Sequence, residues 1–103
     1  MKSPYVQTLA DVATTLTTKN RNGIVLLANT GIVTHTLPPA ADMVGYPITF
    51  KKTTAAAFAV TLDGNGAETI DGAATDADID AQYDTKTIVS DGSNWHIVES
   101  IIA

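Results

Sequence analysis

Two side chains in this sequence titrate near neutral pH, His35 and His96. With no Cys present there is no thiolate nucleophile, and a nucleophile or base would need one of these two as a partner titrating near neutral pH. His35 lies in Val33-Thr34-His35-Thr36-Leu37 and His96 in Asn94-Trp95-His96-Ile97. Each falls at the outward phase of a strand if its neighbours face the core, so both are expected at the surface and outside any catalytic arrangement. Two imidazoles without a thiolate do not complete a zinc site. Asp63-Gly64-Asn65-Gly66 puts an acid where a phosphate loop needs a donor. A glycosidase pair has carboxylates to draw on, but 103 residues without inserted loops leave little room for a cleft. The expectation is a protein that is not an enzyme, with no catalytic residue, no cofactor and no resident metal.

The acidic residues are unevenly spread. From Asp63 to Asp91 there are eight acids and one base, Lys86. Asp76, Asp78 and Asp80 alternate with Ala77 and Ile79, which on a strand places three carboxylates on one repelling face. A calcium loop is one reading, since hard cations take several carboxylate oxygens. The spacing lacks the loop glycine and terminal glutamate of that motif, which favours a solvated loop that keeps a sheet edge from pairing. Among the aromatics, Trp95, Phe50 and Phe58 lie in strand-like runs and are expected in the core. Tyr5, Tyr46 and Tyr83 lie on an arm or in loops, where sugar stacking or an interface is open to them.

The elements that must position these residues are strands. Thr and Ala are the commonest residues, sixteen and fifteen, and the Ala clusters sit beside Thr or Gly instead of forming a helical stripe. Runs rich in apolar or β-branched residues recur at 12–18, 23–28, 32–37, 47–53, 58–62, 69–70, 86–90 and 95–101. Between them stand Asn22-Gly23, Asn29-Thr30-Gly31, Asp63-Gly64-Asn65-Gly66, Asp71-Gly72 and Asp91-Gly92-Ser93-Asn94, residues that tolerate positive φ or fold an Asx side chain onto the backbone. This spacing predicts an all-β fold: a small antiparallel β-sandwich or jelly-roll-like barrel of seven or eight strands. The clearest hairpin joins Thr87–Ser90 to Trp95–Val98, with Ile88, Trp95 and Ile97 as candidate core. Pro38-Pro39 stops a strand and permits one helical turn before Gly45. Ser3-Pro4 suits a helix start, but an extended arm is preferred, so residues 1–20 are expected to be an N-terminal arm and first strand of a single domain spanning 1–103.

Length and charge narrow the partners. A chain of this size buries about 65% of its unfolded surface, enough for one core. The net charge of −5 repels a phosphate backbone, so nucleic acid is not an expected partner. No run approaches a membrane span and Met1–Tyr5 lacks a signal-peptide core, so a soluble protein made in a cytoplasm is expected.

Four stretches carry a family resemblance. Thr61-Leu62-Asp63-Gly64-Asn65-Gly66-Ala67-Glu68-Thr69-Ile70-Asp71-Gly72 is followed by Thr87-Ile88-Val89-Ser90-Asp91-Gly92-Ser93-Asn94-Trp95, and preceded by Thr36-Leu37-Pro38-Pro39 and Ile48-Thr49-Phe50-Lys51. In order and combination these resemble a small trimeric β-module of tailed-bacteriophage virion proteins, found in capsid decoration (cement) proteins and in tail-fibre or spike domains. The matches span residues 24–99, and there is no fibre shaft, coiled coil or second domain, which argues against a complete tail fibre. The resemblance implies a homotrimer bound to the major capsid protein on the outer capsid surface of a virion, synthesised in the host cytoplasm. Its alternative is a receptor-binding knob that recognises a host surface glycan. A small hydrolase or calcium-dependent lectin is a third reading. Free sheet edges and the apolar tail Val98-Glu99-Ser100-Ile101-Ile102-Ala103 fit an assembling protein, with the tail either in a subunit contact or simply ending the last strand. Tyr5, Val6, Leu9, Ile101 and Ile102 are the expected interface residues. Lys2, Lys19 and Arg21 would let the arm lie across a neighbouring shell protein.

Overall fold

The computed structural model describes residues 5–102. Strands run β1 (Val6–Leu9), β2 (Ile24–Leu27), β3 (Val33–Thr36), β4 (Ile48–Lys52), β5 (Val60–Asp63), β6 (Thr75–Ile79), β7 (Thr85–Ser90) and β8 (Trp95–Ile101), with 3-10 turns at Thr18–Asn20 and Ala40–Asp42. They form a five-stranded sheet, β1-β2-β4-β7-β8, and a three-stranded sheet, β3-β5-β6. The fold is all-β, as the run spacing predicts.

The strand directions depart from expectation. Both sheets are mixed: β1–β2, β2–β4 and β3–β5 are parallel, and β4–β7, β5–β6 and β7–β8 antiparallel. The reason lies in what the Asn29-Thr30-Gly31 signal does. It makes no hairpin between β2 and β3 but carries the chain from one sheet to the other, so β4 then runs beside β2 in the same direction. Buried Asn29 pins this crossing: its Nδ2 donates to the carbonyls of Gly31 (3.0 Å) and of Phe58 (2.9 Å) on the next crossing, and Thr54 Oγ1 donates to its own carbonyl (2.6 Å). An earlier rung repeats the pattern, since Thr15 bridges Thr36 in parallel while β1 lies beside β2.

One core joins both sheets. Val25, Phe50, Ile88 and Trp95 come from the larger sheet, and Val60 and Leu62 from the smaller, all in a single buried cluster. Burial alternates along β4 and β7, as expected for strands with one face inward. Leu16 is buried although the run 12–18 forms no named strand. Phe58, expected in the core, is 45% exposed because it lies in the crossing segment ahead of β5. Strand β6 was not among the expected runs, since its acids break the apolar pattern.

Two turns show why their residues are required. Asp71 (φ 49°) and Gly72 (φ 85°) form a tight reversal in which the backbones of Ile70 and Ala73 exchange hydrogen bonds of 2.7 and 3.0 Å, the arrangement that needs positive φ at both central residues. Gly64 is needed for space, because a Cβ there would collide with the Glu68 carbonyl oxygen. The Ser3-Pro4 helix start and Lys2 lie outside the described residues, as does Ala103.

Candidate interaction surface

The last strand projects beyond the core that its first residues help to build. Trp95 is fully buried and Ile97 packs against the core, whereas Val98, Glu99, Ser100 and Ile101 are all exposed. A strand that alternates between core and solvent shows exposure at every second residue. Exposure at four in a row means that neither face is covered. The change coincides with a bulge: Ile88 opposes Ile97 and Thr87 opposes Glu99, leaving Val98 as the extra residue. Among the described residues the outer edge of β8 is closed only at its start, where Trp95 N–H donates to Thr69 O (2.8 Å), Asp71 N–H to Trp95 O (3.0 Å) and Ile97 N–H to Asp71 Oδ1 (3.0 Å).

At the opposite edge of the same sheet, Tyr5 and Val6 are exposed at 44% and 55%, matching Ile101 and Ile102 at 60% and 41%. Leu9, expected among the interface residues, is instead 7% exposed and part of the core. It takes the inward phase of β1, level with buried Leu27, while Val6 takes the outward phase. Four of the five expected residues are therefore available at the surface and the fifth is not.

The two histidines differ in placement. His35 is fully buried, a correction to its expected surface position. The residues sharing its face are two away, not adjacent: Val33 and Leu37 are buried, so His35 points inward with them. Its Nδ1 accepts from Thr14 N–H (3.2 Å), its Nε2 has no partner among the described residues, and burial pushes its pKa down. His96 does lie at the surface, with Nε2 2.7 Å from Asp91 Oδ2 and Nδ1 3.9 Å from Asp71 Oδ1. Asp91 is held down at about 2, chiefly by the Asn94 backbone N–H, then by His96 and the Ser93 N–H.

Two buried lysines escaped sequence reasoning. Lys86 points inward from β7 and reaches across to β6 on the other sheet, placing Nζ 2.8 Å from both Asp76 oxygens and 2.9 Å from Asp78 Oδ2. Burial disfavours its ammonium, but the bonds and charges of these carboxylates outweigh that and raise its pKa; Lys86 lowers that of Asp78. Asp76 and Asp78, expected to repel across a face, thus converge on one cation. Lys52 ends the inward face of β4, where burial lowers its pKa against the pull of Asp84, Asp11 and Asp80, and its Nζ donates to Thr54 Oγ1 (2.6 Å). The signal for Lys86 was its position as the sole base in the acidic stretch; Lys52 was marked only by strand alternation from Phe50. Among the described residues no group of three His, Cys, Asp or Glu side chains is placed to hold a metal ion. No described helix is long and apolar enough to cross a membrane.

The chain matches no family model, no curated protein and no solved structure. The geometry therefore stands on its own. What it offers is an exposed, weakly charged strand end on one sheet edge and exposed apolar residues on the other. Two loop tyrosines carry cations over their rings: Arg21 over Tyr46 and Lys51 over Tyr83, each 5.3 Å from the centroid.

Proposed function

We propose that this chain is a structural building block of a bacteriophage virion, a homotrimeric capsid decoration protein that binds the major capsid protein on the outside of the head. The observation that carries the reading is the end of β8, where Val98 and Ile101 stand exposed on a strand with neither face covered and Ile102 is exposed just beyond it. Such a strand end is a liability in an isolated copy and an asset in an assembly. In this reading the two sheets make a small sandwich or jelly-roll-like module, residues 1–20 serve as an arm and first strand, and the protein performs no chemistry. Modest affinity per contact suffices, because a trimer binds several shell subunits at once. The resemblance of residues 24–99 to the phage module supplies the phage context.

Mass photometry of the purified protein, followed by sedimentation with undecorated phage heads, tests the proposal. A trimer that co-sediments with heads supports it, and a monomer left in the supernatant defeats it. The cation-capped, exposed Tyr46 and Tyr83 favour one second reading, a tail-fibre knob that stacks a host glycan on aromatic rings. Binding to host cells instead of heads would select that reading.

A further inference from the structure

We infer that the outer edge of β8, from Val98 to Ile101, pairs in parallel with the outer edge of β1 in a second copy of this chain. The inference rests on the assembly reading above and names which edges make the contact. Strand directions come first. Because β1, β2 and β4 are parallel and the chain reverses twice from β4 through β7 to β8, β8 runs the same way as β1. A second copy laid head to tail against the first therefore continues the five-stranded sheet, and the new junction repeats the parallel pairing already used within β1-β2-β4.

Both edges have backbone groups to offer. Ile24 and Ala28 N–H donate to the carbonyls of Tyr5 and Leu9, so the odd-numbered residues of β1 bond to β2. By alternation, the N–H and C=O of Val6 and Thr8 point outward, and no described residue pairs with them. On β8 the segment Thr69–Asp71 closes the edge no further than Ile97, and the open stretch begins at Val98. The lengths correspond: Val6–Leu9 faces Val98–Ile101, four residues each.

The side chains agree with this pairing. Neither edge carries the lysines or prolines with which free edges are blunted, and Glu99 is the one charge on the two together. Pairing β8 with itself about a two-fold axis would place two uncompensated Glu99 carboxylates in one short ladder; pairing it with β1, which bears no charge, does not. A contact between two different edges is heterologous, and closes into a ring when the rotation between copies permits. Three copies make the trimer.

The absence of native Cys makes cross-linking a direct test. Val6→Cys and Thr8→Cys mark β1, and Val98→Cys and Ser100→Cys mark β8; a disulfide forms only where Cα atoms approach within roughly 7 Å. Each variant is first weighed by mass photometry, then oxidised alone and in β1/β8 mixtures. The inference expects a linked dimer only from the mixtures, and a ladder ending at three chains from a double variant. Thr8→Pro, which removes an outward N–H, should reduce the measured mass threefold while leaving the β-sheet circular dichroism intact. Cross-linking in any single-variant pool overturns the inference. So does a native oligomer with no β1–β8 link in any mixture, an outcome that leaves the assembly reading standing. A monomeric native protein overturns both.

Discussion

Replacing Lys86 with Met should be among the most damaging single changes in this protein. The Lys86 side chain is 3% exposed and that of Asp76 is 13% exposed, with both Asp76 oxygens 2.8 Å from the ammonium; Asp78 is 70% exposed. Removing the cation strands the Asp76 carboxylate in a largely dry site, and breaking a buried pair in this way costs about 3–5 kcal/mol. The exposed arm contributes less: Asp78→Asn should cost under about 1 kcal/mol, because water screens it. In a domain whose whole stability is about 5–15 kcal/mol, the Lys86→Met loss is large. Adding Asp76→Asn to Lys86→Met removes the stranded charge, so the double variant should be more stable than the sum of the single losses implies, with a coupling of about 1–3 kcal/mol. Urea unfolding at fixed protein concentration, with linear extrapolation, measures all four corners of the cycle. The same groups set a pH window. Asp78, lowered from 3.8, contributes stability present above that value and lost as pH falls through its folded pKa. Lys86, raised from 10.5, contributes stability present below that value and lost as pH rises through its folded pKa. A Lys86→Met cost below about 1 kcal/mol, or strictly additive costs in the cycle, would refute the view that this cluster clamps one sheet to the other.

Three further outcomes follow from the same geometry. His35 has a folded pKa pushed below 6.5 by burial, so stability should fall as pH drops from 6.5, by at most about 1.4 kcal/mol per pH unit for one proton; His35→Gln should flatten the urea midpoint between pH 7 and 5, and a flat wild-type profile would contradict this. Tyr83 holds φ 71° and is 60% exposed, and Tyr83→Asn should raise stability by about 0.5–1 kcal/mol, read as a melting temperature higher by a few degrees; a fall would show that the Lys51 contact outweighs the strain. Gly64→Ala, which drives a Cβ into the Glu68 carbonyl, should cost about 1–3 kcal/mol or more by urea unfolding, and a neutral result would mean that the turn relaxes freely.

Local signals in the sequence were read well where they acted locally. The hairpin between β7 and β8 is where Ser90-Asp91-Gly92-Ser93-Asn94-Trp95 puts it, and Asp71-Gly72 makes the tight turn its residues demand. Strand direction was not legible, because Asn29-Thr30-Gly31 has the composition of a hairpin turn and acts as a crossing; what decides between the two is the bond from Asn29 to Phe58, twenty-nine residues away. The phase of β3 could have been taken from Val33 and Leu37, which would have placed His35 inside. Strand β6 was hidden because two of its acids are spent on Lys86, a partner supplied by the other sheet. Of the interaction surface, Tyr5, Val6, Ile101 and Ile102 were visible as apolar residues near the two termini, whereas the burial of Leu9 depended on the pairing of β1 with β2.

The repeated crossing between sheets bears on how quickly the molecule can form. Of the first five strands only β1 and β5 pair with their successors, and β3 must find β5 across twenty-seven residues of chain. Closing such loops costs entropy before any contact repays it, which places folding of this small chain on the millisecond-to-second scale. The β7–β8 hairpin can close early, so the parallel rungs are expected to assemble onto it, and on a ribosome they must wait for residues 85–101 to emerge, at about 5–20 residues per second.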